Sequence, residues 1–194
     1  MNFLAHIYLS SENEGITIGN FIADGIKGKK YLSFPSEIQK GILLHRAIDS
    51  YTDEHPIVRE STARLHENYG HYSGVIVDIL YDHFLAKNWS KYHDQPLAEY
   101  VDDFYEMLKR NFDILPKRIQ RMMPHMMADN WLLSYATIEG IGKILKQMNI
   151  RTKGVSKMNF AVVELEAFYT EFENEFTLFF EELIKYVNQK RKEL

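Results

Sequence analysis

An apolar stripe near the C-terminus places the strongest constraint on how this chain folds. Its members recur at steps of three and four residues: Ala161, Leu165, Phe168, Phe172, Phe176, Phe179, Leu183 and Val187. This spacing predicts one long amphipathic helix of about eight turns over residues 161–187, with glutamates mainly on its wet side. A phenylalanine-rich face of that length needs permanent cover, which favours a core stripe over a docking helix for a partner.

Helical periodicity continues through the rest of the sequence. Helices are predicted at residues 35–56, 73–91 and 96–116, and residues 124–148 are predicted to hold one or two helices broken by Gly140 and Gly142. Residues 15–30 fit either a β-branched strand or an irregular helix around Gly19. Because loops are short and no repeat or linker is visible, we predict an all-α fold, a single compact multi-helix domain over residues 1–194.

Composition excludes several classes of function. The chain has no cysteine, which rules out disulfides, cysteine nucleophiles and thiolate metal sites, so any metal must be held by histidine and carboxylate. A formal charge of −4 gives no indication of a nucleic-acid partner. The N-terminus lacks the basic leader of a signal peptide, and no apolar run approaches the ~20 residues that span a bilayer. We therefore expect a soluble cytoplasmic protein with no membrane partner.

Ionisable residues interrupt the apolar faces in the first half of the chain. His45, Asp49 and Asp53 are spaced four residues apart on one predicted helix, and Asp78 and Asp82 have the same spacing on another. His6, Asp24 and His83 are further polar intrusions. Taken singly, each fits a hydrogen-bonded core residue, a cap or a surface charge. Together they suggest a divalent cation, because buried carboxylates need a counter-charge.

Four ordered motifs carry a resemblance to a known family. They are MNFLAH at 1–6, GNFIAD at 19–24, GILLHRAIDSYTDEHPIVR at 41–59 and DILYDHFLAKNW at 78–89, with a weaker match in NWLLSY at 130–135. With these motifs the chain resembles the bacterial acyl carrier protein phosphodiesterases. The resemblance implies an all-helical, divergent relative of the His-Asp metal phosphohydrolases. Its implied reaction is a manganese-dependent hydrolysis that removes 4′-phosphopantetheine from the serine of holo acyl carrier protein, with Mg²⁺ or another divalent cation as an alternative to Mn²⁺.

The resemblance also implies roles for particular residues. The expected metal ligands are Asp24, His45, Asp82 and His83, although the order Asp-His at 82–83 reverses the dipeptide that names the superfamily and leaves open which group reaches the metal. From the chemistry of phosphodiester hydrolysis, the expected catalytic group comprises His6, Arg46, Asp49 and Asp78. Of these, Asp49 or Asp78 would orient a water or accept its proton. His6 would hold a ligand in place or protonate the leaving serine oxygen, and Arg46 would steady the phosphate.

A protein substrate also requires a docking surface. Acyl carrier proteins are strongly acidic, so we expect a locally basic surface despite the overall negative charge. The lysines just beyond Asp24, namely Lys27, Lys29 and Lys30, are the preferred candidates, and Lys117, Arg118 and Arg121 form a second basic cluster. For either cluster the alternative reading is a contribution to solubility.

Two other functions fit the same residues. One keeps the metal site and replaces the substrate by a nucleotide or another small phosphate ester, because family membership does not fix the substrate. The other is a non-catalytic helical protein that binds the carrier protein. A panel of phosphodiesters together with holo carrier protein separates the first alternative from the main hypothesis. Full stability and no loss of function after replacement of Asp82 and His83 would indicate the second. Activity that survives both chelation and those replacements would exclude a metalloenzyme.

Overall fold

The structure is a computed structural model that describes all residues 1–194, and its regular structure is entirely helical. There are eleven α-helices and no strand. They are α1 (Phe3–Tyr8), α2 (Glu14–Ile22), α3 (Ser36–Glu54), α4 (Pro56–Tyr69), α5 (Ser73–Lys87), α6 (Leu97–Arg110), α7 (Lys117–Ala128), α8 (Trp131–Ser134), α9 (Ile138–Arg151), α10 (Val162–Ala167) and α11 (Tyr169–Glu193). Short 3₁₀ segments join several of them. The predicted all-α fold class is confirmed, and none of the helices is long and apolar enough to cross a membrane.

The phenylalanine stripe of α11 forms the centre of the core. Phe172, Phe176, Phe179 and Phe180 are fully buried, and α11 packs against α3, α4 and α5. Each buried phenylalanine contributes roughly 2–3 kcal/mol of hydrophobic free energy. The prediction of a core stripe is therefore confirmed. All the buried apolar side chains belong to a single contiguous cluster, so the helices share one core.

The predicted helix over residues 161–187 is not continuous. At Phe168 the backbone leaves helical geometry, with ψ at 31°, and this residue separates α10 from α11. Phe168 itself is 38% exposed, so it does not extend the buried stripe. On the α10 side, Glu164 accepts hydrogen bonds from Asn68 and from the Tyr69 hydroxyl, which ties that short helix to α4.

The predicted break at Gly140 and Gly142 is wrong, because both glycines lie inside α9. The chain turns earlier, where Asn130 adopts a left-handed conformation with φ at 44°. A Cβ on Gly140 would overlap the backbone oxygen of Ser134. This glycine therefore allows α8 and α9 to approach closely, and it does not interrupt the helix.

The ambiguous segment 15–30 forms α2 and two 3₁₀ turns. Asn13 caps α2 by accepting a hydrogen bond from Ile16 N–H. Gly19 of α2 faces Gly41 of α3, and a Cβ on either would overlap backbone atoms of the opposite helix. The two helices are thus in backbone contact, which brings the end of α2 against the middle of α3.

Candidate metal centre

The N-terminus is held in place by the two aspartates of α5. Asp82 is completely buried and accepts hydrogen bonds from the backbone N–H groups of Asn2, Leu4 and Ala5 at 3.3, 2.7 and 3.3 Å. Asp78 forms an ion pair with the Met1 ammonium group at 2.8 Å. Burial raises the pKa of Asp82 to about 7, against the opposing effects of that ammonium group and of the N–H donors.

Because both oxygens of Asp82 are directed at the start of α1, the geometry gives no support to its predicted role as a metal ligand. Asp82 instead fixes the position of α1 and so of His6.

One residue that sequence reasoning missed orients two histidines. The Asn20 side-chain N–H₂ donates to the His6 backbone oxygen and to Ser10 Oγ, both at 2.9 Å, so its Oδ1 must accept from His6 Nδ1–H at 2.8 Å. The Asn20 backbone oxygen accepts from His45 Nδ1–H, also at 2.8 Å. In the neutral form of both imidazoles, the lone pair therefore lies on Nε2. The sequence signal was a polar asparagine inside the apolar run ITIGNFI.

The two Nε2 atoms converge on the carboxylate of Asp49. His6 Nε2 lies 3.2 Å from Asp49 Oδ1, and His45 Nε2 lies 3.0 Å from Asp49 Oδ2. His45 Nε2 is also 3.1 Å from Asp24 Oδ1. The imidazole rings stack with centroids 4.0 Å apart, and one ligand atom from each of His6, His45 and Asp49 lies within 4.8 Å of the others.

The protonation states of this cluster follow from its charges. Burial would lower the pKa of His45, but the carboxylates of Asp24 and Asp49 raise it to about 9. Burial and the adjacent His45 lower the pKa of His6, whose Nε2 is buried without a hydrogen-bond partner. Burial would raise the pKa of Asp49, but the hydrogen bond and positive charge of the protonated His45 hold it well below its usual range. The cluster thus contains one nitrogen without a hydrogen-bond partner, His6 Nε2, and two carboxylates, Asp24 and Asp49, that share the single proton on His45 Nε2. Such a donor set suits a divalent cation.

His83 lies outside this cluster. Its Nδ1–H donates to the Tyr135 backbone oxygen at 2.7 Å, and its Nε2 accepts from the Tyr169 hydroxyl at 2.8 Å. Both ring nitrogens are therefore occupied, and the geometry gives no support to a ligand role. The imidazole links α5 to the turn after α8 and to α11.

Arg46 contacts the loop that follows Asp24, and the predicted docking lysines lie on that loop. The Arg46 guanidinium donates to the backbone oxygens of Ile26 and Gly28 at 2.9 and 2.8 Å and lies over the Tyr31 ring. It holds the loop that follows Asp24, with its donors directed at that loop. Lys27, Lys29 and Lys30 are exposed on the same loop.

The cluster opens into a cavity of about 370 Å³. Asp24, Asp49, Asp53 and Asp78 line it together with Met1, and its further lining includes Arg118, Arg151, Trp131, Val75, Ile144 and Met148. The cavity therefore presents carboxylates, two arginines and an apolar surface to one ligand. A larger cavity of about 530 Å³ between α1, α6 and α11 contains none of the predicted site residues.

Fold and site together define an all-helical protein in which two buried histidines face one partly exposed carboxylate at the edge of a mixed-charge cavity. The family model described as acyl carrier protein phosphodiesterase matches residues 1–183. The chain belongs to this family.

Curated relatives named acyl carrier protein phosphodiesterase match nearly the whole chain. The protein from Pectobacterium atrosepticum is 30% identical over 186 residues, which cover 95% of this chain and 96% of the relative. The Escherichia coli relative is 30% identical over 191 residues, covering 98% and 99%. The Yersinia pestis relative is 28% identical over 192 residues, covering 98% and 100%. No solved structure matches the chain.

Proposed function

We propose that this protein is a metal-dependent phosphodiesterase that hydrolyses the bond between 4′-phosphopantetheine and the serine of holo acyl carrier protein. The observation that carries the proposal is the convergence of His6 Nε2 and His45 Nε2 on Asp49 at the edge of a cavity. The substrate assignment rests on the family and on the names of its relatives.

The proposed ligands are His6, His45, Asp49 and Asp24. Two imidazole nitrogens among the donors favour Mn²⁺ over Mg²⁺, because Mg²⁺ prefers an all-oxygen shell. A divalent cation bound there would supply positive charge to a phosphoryl oxygen and lower the pKa of a water. In this proposal Asp82 and His83 act on the site only through the elements that they hold in place.

The remaining cavity residues divide the other tasks. Asp53 lies one helical turn after Asp49, lines the cavity and has no hydrogen-bond partner, and burial together with the nearby charge of Asp78 raises its pKa. A carboxylate of that kind is suited to accept a proton from the attacking water. Arg118 and Arg151 would bind the anionic oxygens of the phosphodiester through their guanidinium groups.

The decisive experiment follows the mass of purified holo carrier protein incubated with this protein. We expect conversion to the apo mass with Mn²⁺, less with Mg²⁺ and none in excess chelator. Asp49→Asn should reduce the rate on the order of a hundredfold or more, because it removes the carboxylate that both histidines face. The exposed Asp113→Asn is the matched control and should retain the full rate.

The alternatives give different results in the same experiment. Hydrolysis of nucleotide diesters without any conversion of the holo protein would indicate the small-ester phosphohydrolase. A folded protein that binds carrier protein but converts no ester with any metal would indicate the non-catalytic alternative.

A further inference from the structure

A shallow groove continues from the cavity onto the surface. It has a volume of about 720 Å³ and runs over the exposed faces of α7 and α9. Four residues line both the cavity and the groove: Arg118, Trp131, Gln147 and Arg151. Arg121 and His125 belong to the groove alone. The groove is therefore the outward extension of the candidate metal centre.

The chain segments around the groove are predominantly basic. Residues 114–128 contain three Lys or Arg residues and no Asp or Glu, and residues 140–163 contain five and again no acid. The whole chain has a net charge of −4, so this surface has the opposite sign to the rest of the molecule. Arg118, Arg121 and Arg151 are exposed and form no ion pair. The only acidic residue in the groove lining is Asp129.

We propose that this α7–α9 groove is the docking surface for an acidic face of the protein substrate, an inference that rests on the proposed function. In a phosphoserine diester only Cβ and Oγ separate the phosphorus from the backbone. The substrate protein must therefore contact the rim of the cavity while its ester reaches the metal centre. The groove provides that rim with unpaired guanidinium groups, which match carboxylates in geometry as well as in charge.

The loop lysines are the competing surface. Lys27, Lys29 and Lys30 are exposed near Asp24, but none of them lines the cavity or the groove. Continuity with the cavity distinguishes the α7–α9 groove from this loop. A single charge reversal in the groove should therefore weaken docking, whereas one in the loop should not.

The test compares three charge reversals in steady-state conversion of holo carrier protein with Mn²⁺. Arg121→Glu should raise KM about five- to tenfold and leave kcat within about twofold, because Arg121 does not line the cavity. Lys29→Glu tests the competing surface, and Lys185→Glu on α11, which lines neither region, is the matched control. Both should retain the wild-type KM. Circular dichroism verifies that each variant is folded.

Two further measurements separate docking from chemistry. Hydrolysis of bis(4-nitrophenyl) phosphate should be the same in wild type and Arg121→Glu, because this small diester needs no docking surface. Binding of labelled apo carrier protein, measured by fluorescence anisotropy, should weaken in Arg121→Glu and depend less on salt.

The outcomes distinguish the two proposals. If wild type converts holo protein and Arg121→Glu has an unchanged KM, the docking assignment is wrong and the function stands. An equal or larger rise in KM in Lys29→Glu would also overturn the assignment. If wild type converts no holo protein but binds apo protein through Arg121, the docking surface stands and the proposed reaction falls.

Discussion

Replacing Asp82 by alanine separates two roles that the sequence alone could not distinguish. As a metal ligand, Asp82 would matter only when metal is bound. As the anchor of the start of α1, it accepts hydrogen bonds from the backbone N–H groups of Asn2, Leu4 and Ala5 and stabilises the fold with or without metal. The buried position of its carboxylate means that no water can replace it without rearrangement.

The expected cost follows from these three contacts. The 2.7 Å bond to Leu4 N–H is short and buried, and losing it should cost about 2 kcal/mol. The two 3.3 Å bonds to Asn2 and Ala5 are weaker, and together they add about 1 kcal/mol. A total of about 3 kcal/mol corresponds to a fall in Tm of roughly 6–12 °C for a chain of this length.

The assay is thermal unfolding in excess chelator, followed by circular dichroism. Asp82→Ala should melt well below wild type there, whereas Asp113→Ala, an exposed aspartate control, should change Tm by no more than about 2 °C. Titration with Mn²⁺ completes the comparison, and the variant should still bind the metal, though more weakly because His6 loses its support. A variant that melts at the wild-type temperature in chelator but no longer binds Mn²⁺ would refute the anchoring role and support Asp82 as a ligand.

Three further predictions address packing, protonation and metal binding. Gly41→Ala should lose about 2–4 kcal/mol in urea unfolding, because its Cβ would overlap the Ile16 oxygen, while Gly74→Ala, which meets open space in a helix, should gain about 0.5–1 kcal/mol. In metal-free protein, the interaction of protonated His45 with Asp24 and Asp49 raises the pKa of His45 to about 9. This interaction stabilises the fold fully below about pH 6.5, and its contribution disappears as the pH rises through about 9. The difference in the free energy of unfolding between wild type and His45→Gln should therefore narrow between about pH 6 and pH 9.5. A constant difference would contradict the stabilising role of protonated His45. Asp24→Asn should weaken Mn²⁺ binding by about 10–100-fold in calorimetric titration, and unchanged affinity would remove Asp24 from the ligand set.

Periodicity and proline positions predicted most of the helices. Helix α3 lies within the predicted range 35–56, and α5 begins at Ser73 as predicted. Two predictions failed: the continuous helix over residues 161–187 is interrupted at Phe168, and Gly140 and Gly142 were read as helix breakers. Gly140 is inside α9 because a neighbouring backbone needs the space that a side chain would occupy, and that need depends on a contact distant from any local pattern.

For the candidate site, the sequence singled out residues whose roles stay predictions. His6, Asp24, His45 and Asp49 were all singled out, and the structure brings these four together. Asp82 and His83 were expected as metal ligands beside Asp24 and His45 because of the resemblance to the family. Adjacent helical residues point about 100° apart, however, so Asp82 faces the start of α1 and His83 faces Tyr135 and Tyr169.

The amino-acid sequence by itself determined the all-α class, the phenylalanine core and the short list of histidines and carboxylates, because these depend on periodicity and on the cost of burying charge. Tertiary structure alone decided which of those groups meet. The backbone contact between Gly19 and Gly41 brings Asn20 against His45, and Asn20 in turn fixes the nitrogen that His6 presents to Asp49. These contacts join residues far apart in the chain, and their geometry is set by helix packing, which no local spacing encodes.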